Sequence, residues 1–86
     1  MKIRAYEKFR RAYRDLPENI RKKVDKTLLL LAENLFHPSL HVKKIKGRTG
    51  IWEARVDLQY RLTFEIDDET IFLRVVGNHD ETLKNP

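Results

Sequence analysis

The chain has 86 residues, 41% hydrophobic and 36% charged, which suits one domain (residues 1–86) around one small core, since a second domain would need roughly 50 residues of its own. It has no cysteine, which removes disulfides, thiolate zinc sites and cysteine nucleophiles, and no apolar run approaches the roughly 18 residues of a membrane span. The net charge of +5 is uneven: residues 1–50 hold 14 lysines and arginines against 5 acids, and residues 51–86 hold 4 against 8, so the first half points to a polyanion partner.

In chain order, Lys2–Ala5 reads as a short first strand. From Tyr6 the apolar residues Tyr6, Phe9, Ala12, Tyr13 and Leu16 fall at helical spacing. Pro17 ends that helix and suits the start of a second. The second runs from about Glu18 to Asn34, with Ile20, Val24, Leu28, Leu31, Ala32 and Leu35 as its inner stripe. A helix buries one stripe, yet Leu28 to Leu31 is a continuous apolar run. Leu29 and Leu30 are therefore expected near the surface, as a groove for a partner helix.

The period then changes from helical to alternating. His41–Lys46 reads as a short strand and Lys46–Gly50 as a flexible basic loop. Ile51–Val56, Tyr60–Ile66 and Thr70–Val76 read as three strands, joined by turns at 57–59 and 67–69. The fold class is α+β: an N-terminal helical hairpin packed on a small, mostly antiparallel sheet. Alternation sorts the faces. Trp52, Ala54, Val56, Leu62, Phe64, Ile71, Leu73 and Val75 are expected under the helices. Glu53, Arg55, Arg61 and Arg74 fall on the opposite face, where three arginines beside a basic loop suggest a phosphate-binding concavity. No metal-ligand spacing is present, and no metal or cofactor is expected.

The stretch from Lys43 to Leu83 resembles the RelE/ParE superfamily of bacterial and archaeal toxins. The residues that carry the likeness are the run Lys44-Ile45-Lys46-Gly47, Trp52 after the loop, the Tyr60-Arg61 pair opening a strand, and Val76-Gly77-Asn78-His79-Asp80-Glu81. It extends back through the helical hairpin, so it covers nearly the whole chain. The resemblance implies a RelE-like fold and the toxin half of a type II toxin–antitoxin pair, in complex with a cognate antitoxin. Leu29 and Leu30 are the expected antitoxin contacts. Members similar to RelE, YoeB and YafQ cut mRNA on the ribosome; members similar to ParE share the fold but poison DNA gyrase. Fold alone does not choose between them. The expected compartment is the cytoplasm, with ribosome and mRNA as further partners and no membrane contact.

Cleavage of this kind is a 2′-hydroxyl attack on the adjacent phosphate. It needs a base for the hydroxyl, an acid for the leaving 5′-oxygen and cations on the phosphate. Arg61 matches the arginine of the family's Tyr-Arg pair, which implies a phosphate contact. His79 lies where YafQ-like toxins carry a catalytic histidine, and imidazole suits proton transfer near neutral pH. Arg55 keeps the charge of one of two lysines that RelE-like members carry on the Trp52 strand; Glu53 replaces the other. Arg61, His79 and Arg55 are thus the catalytic candidates, with Glu53 and His41 as further ones. Lys43, Lys44, Lys46, Arg48 and Arg74 are candidates for RNA backbone contact. The chain departs from RelE near its end, where Leu83-Lys84-Asn85-Pro86 stands in place of a segment with a base-stacking tyrosine. A gyrase poison, or a member that binds RNA or antitoxin without cutting, are the alternative readings.

Overall fold

The computed structural model describes residues 1–86. Its elements are β1 (Lys2–Ala5), α1 (Glu7–Arg14), α2 (Glu18–Glu33), a 3-10 turn (Pro38–Leu40), β2 (Lys43–Lys44), β3 (Trp52–Arg55), β4 (Tyr60–Asp67), β5 (Thr70–Asn78) and α3 (His79–Lys84). The five strands form one sheet in the order β1-β5-β4-β3-β2. Only the β1–β5 pair is parallel; the other pairs are antiparallel. This is the expected α+β architecture, with a third helix added.

The hairpin helices form where the sequence spaces its apolar residues. On α1, Phe9 is the buried side chain; on α2 the buried residues are Ile20, Val24, Thr27 and Leu31. The Thr27 hydroxyl donates to the Lys23 carbonyl at 2.9 Å, so a polar residue is satisfied on the buried stripe. Tyr13 ties the two helices: its hydroxyl donates to Asp25 Oδ1 at 2.6 Å. That bond, with burial, raises the Tyr13 phenol pKa above 10.0. Against the helices the sheet presents Ala54, Leu62, Phe64, Ile71, Leu73 and Val76, which close the core with Phe9, Val24, Leu31 and Leu40.

Three local features depart from the sequence reading. β2 spans two residues rather than 41–46, because the 3-10 turn takes the chain as far as Leu40 and His41 caps it in the left-handed region at φ 47°. Next, Thr63 pairs with Val75 while Phe64 pairs with Leu73, so Arg74 is an extra residue on β5. This bulge shifts the alternation by one. Val76 therefore joins the core, and Val75 lies opposite Thr63 on the other face, which reverses the expected assignment of these two valines.

The third feature is α3, where no element was expected. Asn78 caps it, accepting from the Asp80 N–H at 3.0 Å. The helix turns back over the polar face of the sheet. A Cβ on Gly77 would come within 3.1 Å of Thr82 Oγ1, so any larger residue there would push Thr82 aside by a few tenths of an ångström. Beyond the helix, the Pro86 carbonyl oxygen accepts from Thr63 Oγ1 at 2.9 Å and from Arg74 Nε at 3.0 Å. The expected open concavity is therefore partly roofed.

Candidate active site

Beside the roof lies an open polar pocket of about 320 Å³, lined by His41, Val42, Lys43, Glu53, Arg55, Arg61 and His79. Four chain segments meet there: the end of the 3-10 turn with β2, then β3, β4, and the start of α3. The register explains the meeting. Lys43 stands opposite Glu53, Glu53 opposite Thr63, and Arg55 opposite Arg61, which in turn faces Gly77.

Arg61 forms the floor and is 8% exposed. Its Nη1 donates to the carbonyls of Asp57 and Tyr60, the latter at 3.0 Å. Its Nε lies 3.9 Å from Glu53 Oε1, and Glu53 is itself 6% exposed. A charge pair this deep is held by geometry: removing one partner leaves the other buried and uncompensated. Asp57 builds the turn that positions Arg61. Its Oδ1 accepts from the Gln59 and Tyr60 N–H groups, both at 2.8 Å, and its Oδ2 lies 3.1 Å from Lys23 Nζ on α2. Burial alone would raise the Asp57 pKa. The Gln59 N–H, the Lys23 ammonium and the Tyr60 N–H outweigh it and hold the carboxyl below its ordinary 3.8.

His79 stands at the rim. Its backbone N–H donates to the Gln59 carbonyl at 2.7 Å, which fixes the start of α3 beside the same turn. Its side chain is 45% exposed, with Nδ1 3.2 Å from Asp80 Oδ1. A carboxylate on Nδ1 favours the proton there and leaves Nε2 to exchange a proton with a ligand. Arg55 and Lys43 are the two cations of the group outside every ion pair, and the Arg55 Nε is inaccessible to solvent and has no hydrogen-bond partner.

Six of the residues singled out from the sequence thus come together: Arg61, His79, Arg55, Glu53, His41 and Lys43. The remaining basic candidates lie outside the pocket. Lys44 places its ammonium 5.3 Å from the centre of the Trp52 ring. Lys46 and Arg48 belong to the loop before β3, and Arg48 Nη2 donates to the Lys84 carbonyl at 3.2 Å, tying that loop to the end of α3. Arg74 pairs with Glu65 and with the Pro86 carbonyl. On α2, Leu29 is 68% exposed, whereas Leu30 is half-buried and packs against the core. Asp57 is the residue that sequence reasoning passed over. Its signal in the sequence is an aspartate three residues ahead of Tyr60-Arg61, the spacing of an Asx turn. No group of three or more His, Asp or Glu side chains is placed to hold a metal ion.

The comparisons with known proteins agree with this architecture. A toxin from Helicobacter pylori, solved metal-bound, is 25% identical with a TM-score of 0.78, over 94% of this chain and 97% of that one. The RelB–RelE antitoxin–toxin complex from Methanococcus jannaschii matches at 24% identity and TM-score 0.75, over 95% and 98% of the chains. YafQ from E. coli strain BL21(DE3) matches at 14% identity and TM-score 0.78, over 93% and 94%. No curated protein matches by sequence. The family model for the ParE toxin of the parDE type II toxin–antitoxin system matches residues 3–82. With more than nine-tenths of its length inside that match, and the fold of RelE and YafQ around its polar pocket, this chain belongs to the ParE toxin family of type II toxin–antitoxin systems.

Proposed function

We propose that this toxin is an endoribonuclease that cuts mRNA on the ribosome at the His41–His79 pocket. One observation carries the reading: two imidazoles, three cations and one carboxylate from four chain segments line a single open pocket. Strand cleavage by the RNA's own 2′-hydroxyl asks for that set of groups. The 2′-oxygen bonds to phosphorus, the bond from phosphorus to the 5′-oxygen breaks, and one proton leaves the first oxygen while another reaches the second.

His79, half exposed at the rim, exchanges one of those protons through Nε2, and His41 across the pocket is the second carrier. Arg55 and Lys43 stabilise the charge that builds on the phosphate oxygens. Arg61 has a positioning role first: its donors hold the Asp57 turn, and its charge holds Glu53 in place. The solved relatives named RelE and YafQ support the reading through their shared fold. The experiment is to add the toxin to ribosomes translating a defined mRNA. Cuts inside codons that require the ribosome are expected.

A second reading, gyrase inhibition without nuclease activity, is favoured by one specific observation. One terminal nitrogen of Arg61, the arginine of the family's Tyr-Arg pair, is already taken by the Asp57 and Tyr60 carbonyls, and its Nε faces Glu53. Intact mRNA together with blocked DNA supercoiling would select it.

In either case a cognate antitoxin is the partner, as in the RelB–RelE complex that this chain resembles. Leu29 is the anchor on this chain, being exposed on α2 beside the half-buried Leu30. Leu29→Lys is expected to weaken antitoxin binding at least tenfold, as truncation of a central apolar anchor does, while the melting temperature stays unchanged. Unaltered affinity in a titration would remove Leu29 from the interface.

A further inference from the structure

Arg55 lines two pockets. One is the His41–His79 pocket. The other, of about 280 Å³, lies between α2, the 3-10 turn and the end of β3, and is lined by Lys23, Lys26, Thr27, Leu30, Ser39, Leu40, Arg55, Val56 and Asp57. Arg55 borders both because β2 begins at Lys43, whose partner is Glu53. Beyond Glu53 the edge of β3 has no strand beside it, and the 3-10 turn comes alongside instead.

The charges in this second pocket are unbalanced. Its one carboxylate, Asp57, is consumed by Lys23 and by the two N–H groups of its turn. The Ser39 hydroxyl is 2.8 Å from His37 Nδ1, and the Thr27 hydroxyl donates to Lys23. Two cations remain without a partner: Lys26, exposed on α2 and outside every ion pair, and Arg55, whose Nε is buried and unbonded. The Arg55 side chain makes no hydrogen bond or ion pair within the protein, and of its guanidinium nitrogens only Nε is shut off from solvent. An anionic oxygen in the pocket would bond the terminal nitrogens and neutralise Lys26 together. The leucine and valine side chains of the pocket floor leave room for an apolar face beside that anion.

We propose that the Lys26–Arg55 pocket is a second phosphate subsite, which takes a neighbouring phosphate of the same RNA strand that is cut in the His41–His79 pocket. This rests on the nuclease reading above. Arg55 bridges the two subsites, so a strand entering over α2 crosses the edge of β3 to reach His79. Continuity through one shared side chain favours a polymer with regularly spaced anions over an isolated protein carboxylate.

The test uses a short RNA, 2′-O-methylated so that it cannot be cut, and measures its affinity for the whole toxin across a salt series. Losing one phosphate contact on a single strand lowers the slope of log K against log salt by about 0.7, which is about a fivefold loss of affinity near 0.1 M salt. Lys26→Gln should show both changes, Lys26→Arg should restore them, and Lys22→Gln, on the same helix but outside the pocket, should show neither. On translating ribosomes Lys26→Gln should raise the toxin concentration needed for half-maximal cutting and leave the rate at saturation unchanged. If Lys26→Gln binds and cuts like the wild type, the subsite is wrong and the nuclease reading stands. If it leaves RNA binding intact but weakens the antitoxin, the pocket serves a protein carboxylate and the inference is overturned. If the wild type neither binds the RNA nor cuts mRNA, both readings fall together.

Discussion

The sheet face under α1 and α2 buries Leu62, Phe64, Ile71 and Leu73 almost completely, whereas the face under α3 buries Arg61, Glu53 and Thr63. On the first face the side chains contribute volume. They can be exchanged for others of similar size at modest cost, because apolar packing is not directional. On the second face each buried group answers to particular atoms: Arg61 to two carbonyls and Glu53, Thr63 to the Pro86 carbonyl. One face makes the domain stable. The other uses part of that stability to hold charges where a small protein would not otherwise keep them.

That contrast can be broken experimentally, beginning where the effect is greatest. Phe64 has no exposed surface, and Phe64→Ala should cost about 4 kcal/mol by leaving a cavity between helices and sheet. For a domain this small, such a loss threatens folding itself, and thermal melting would register it. Arg61→Ala should cost about 3 kcal/mol for a different reason, the uncompensated Glu53 carboxylate. The two causes are separable. Adding Glu53→Leu to an Arg61→Met variant should recover most of the second loss, while no polar-face change should rescue Phe64→Ala. A double variant as unstable as Arg61→Ala would mean that the Asp57 and Tyr60 carbonyls, and not Glu53, set the cost.

A smaller effect sharpens the link between the faces. Asp57 joins α2, through Lys23, to the turn that positions Arg61. Its pKa in the fold lies below its unfolded value. Its ionised form therefore stabilises the protein above about pH 4, and that stabilisation is lost as pH falls through the folded pKa. Asp57→Asn keeps the turn acceptor and removes the charge. It should cost about 1 kcal/mol at neutral pH and flatten the acid limb of a stability-versus-pH curve. An unchanged acid limb would assign that limb to other carboxylates.

The two faces also differ in how plainly the sequence announces them. The helix-covered face was legible from periodicity: Phe9, Ile20, Val24 and Leu31 on the helices, and Leu62 and Phe64 on β4, lie where helical and alternating spacing place them. The exception is instructive. Val75 and Val76 are both apolar, so alternation gives no sign of the extra residue at Arg74 that exchanges their faces. On the polar face, the residues of the pocket could be named in advance because resemblance and alternation agreed on Arg55 and Arg61, and alternation set Glu53 beside them. Their burial could not. It comes from α3, whose six residues contain one leucine and show no period, although the Asn78 cap and the acids of its first turn are written in the sequence. Arg74 was expected beside Arg61. The bulge and the Pro86 carbonyl direct it to Glu65 instead.

The smallest change in stability carries the largest consequence for function. The His79 side chain is half exposed and bonds only its neighbour Asp80, so His79→Ala should melt within about 0.5 kcal/mol of the wild type. The direct measurement is primer extension on an mRNA under translation, comparing wild type with His79→Ala at matched folded concentration. Ribosome-dependent cuts are expected with the wild type, and a loss of roughly a hundredfold or more in their rate with the variant. Cuts of equal rate from a folded His79→Ala protein would contradict this and take proton transfer away from this pocket's rim.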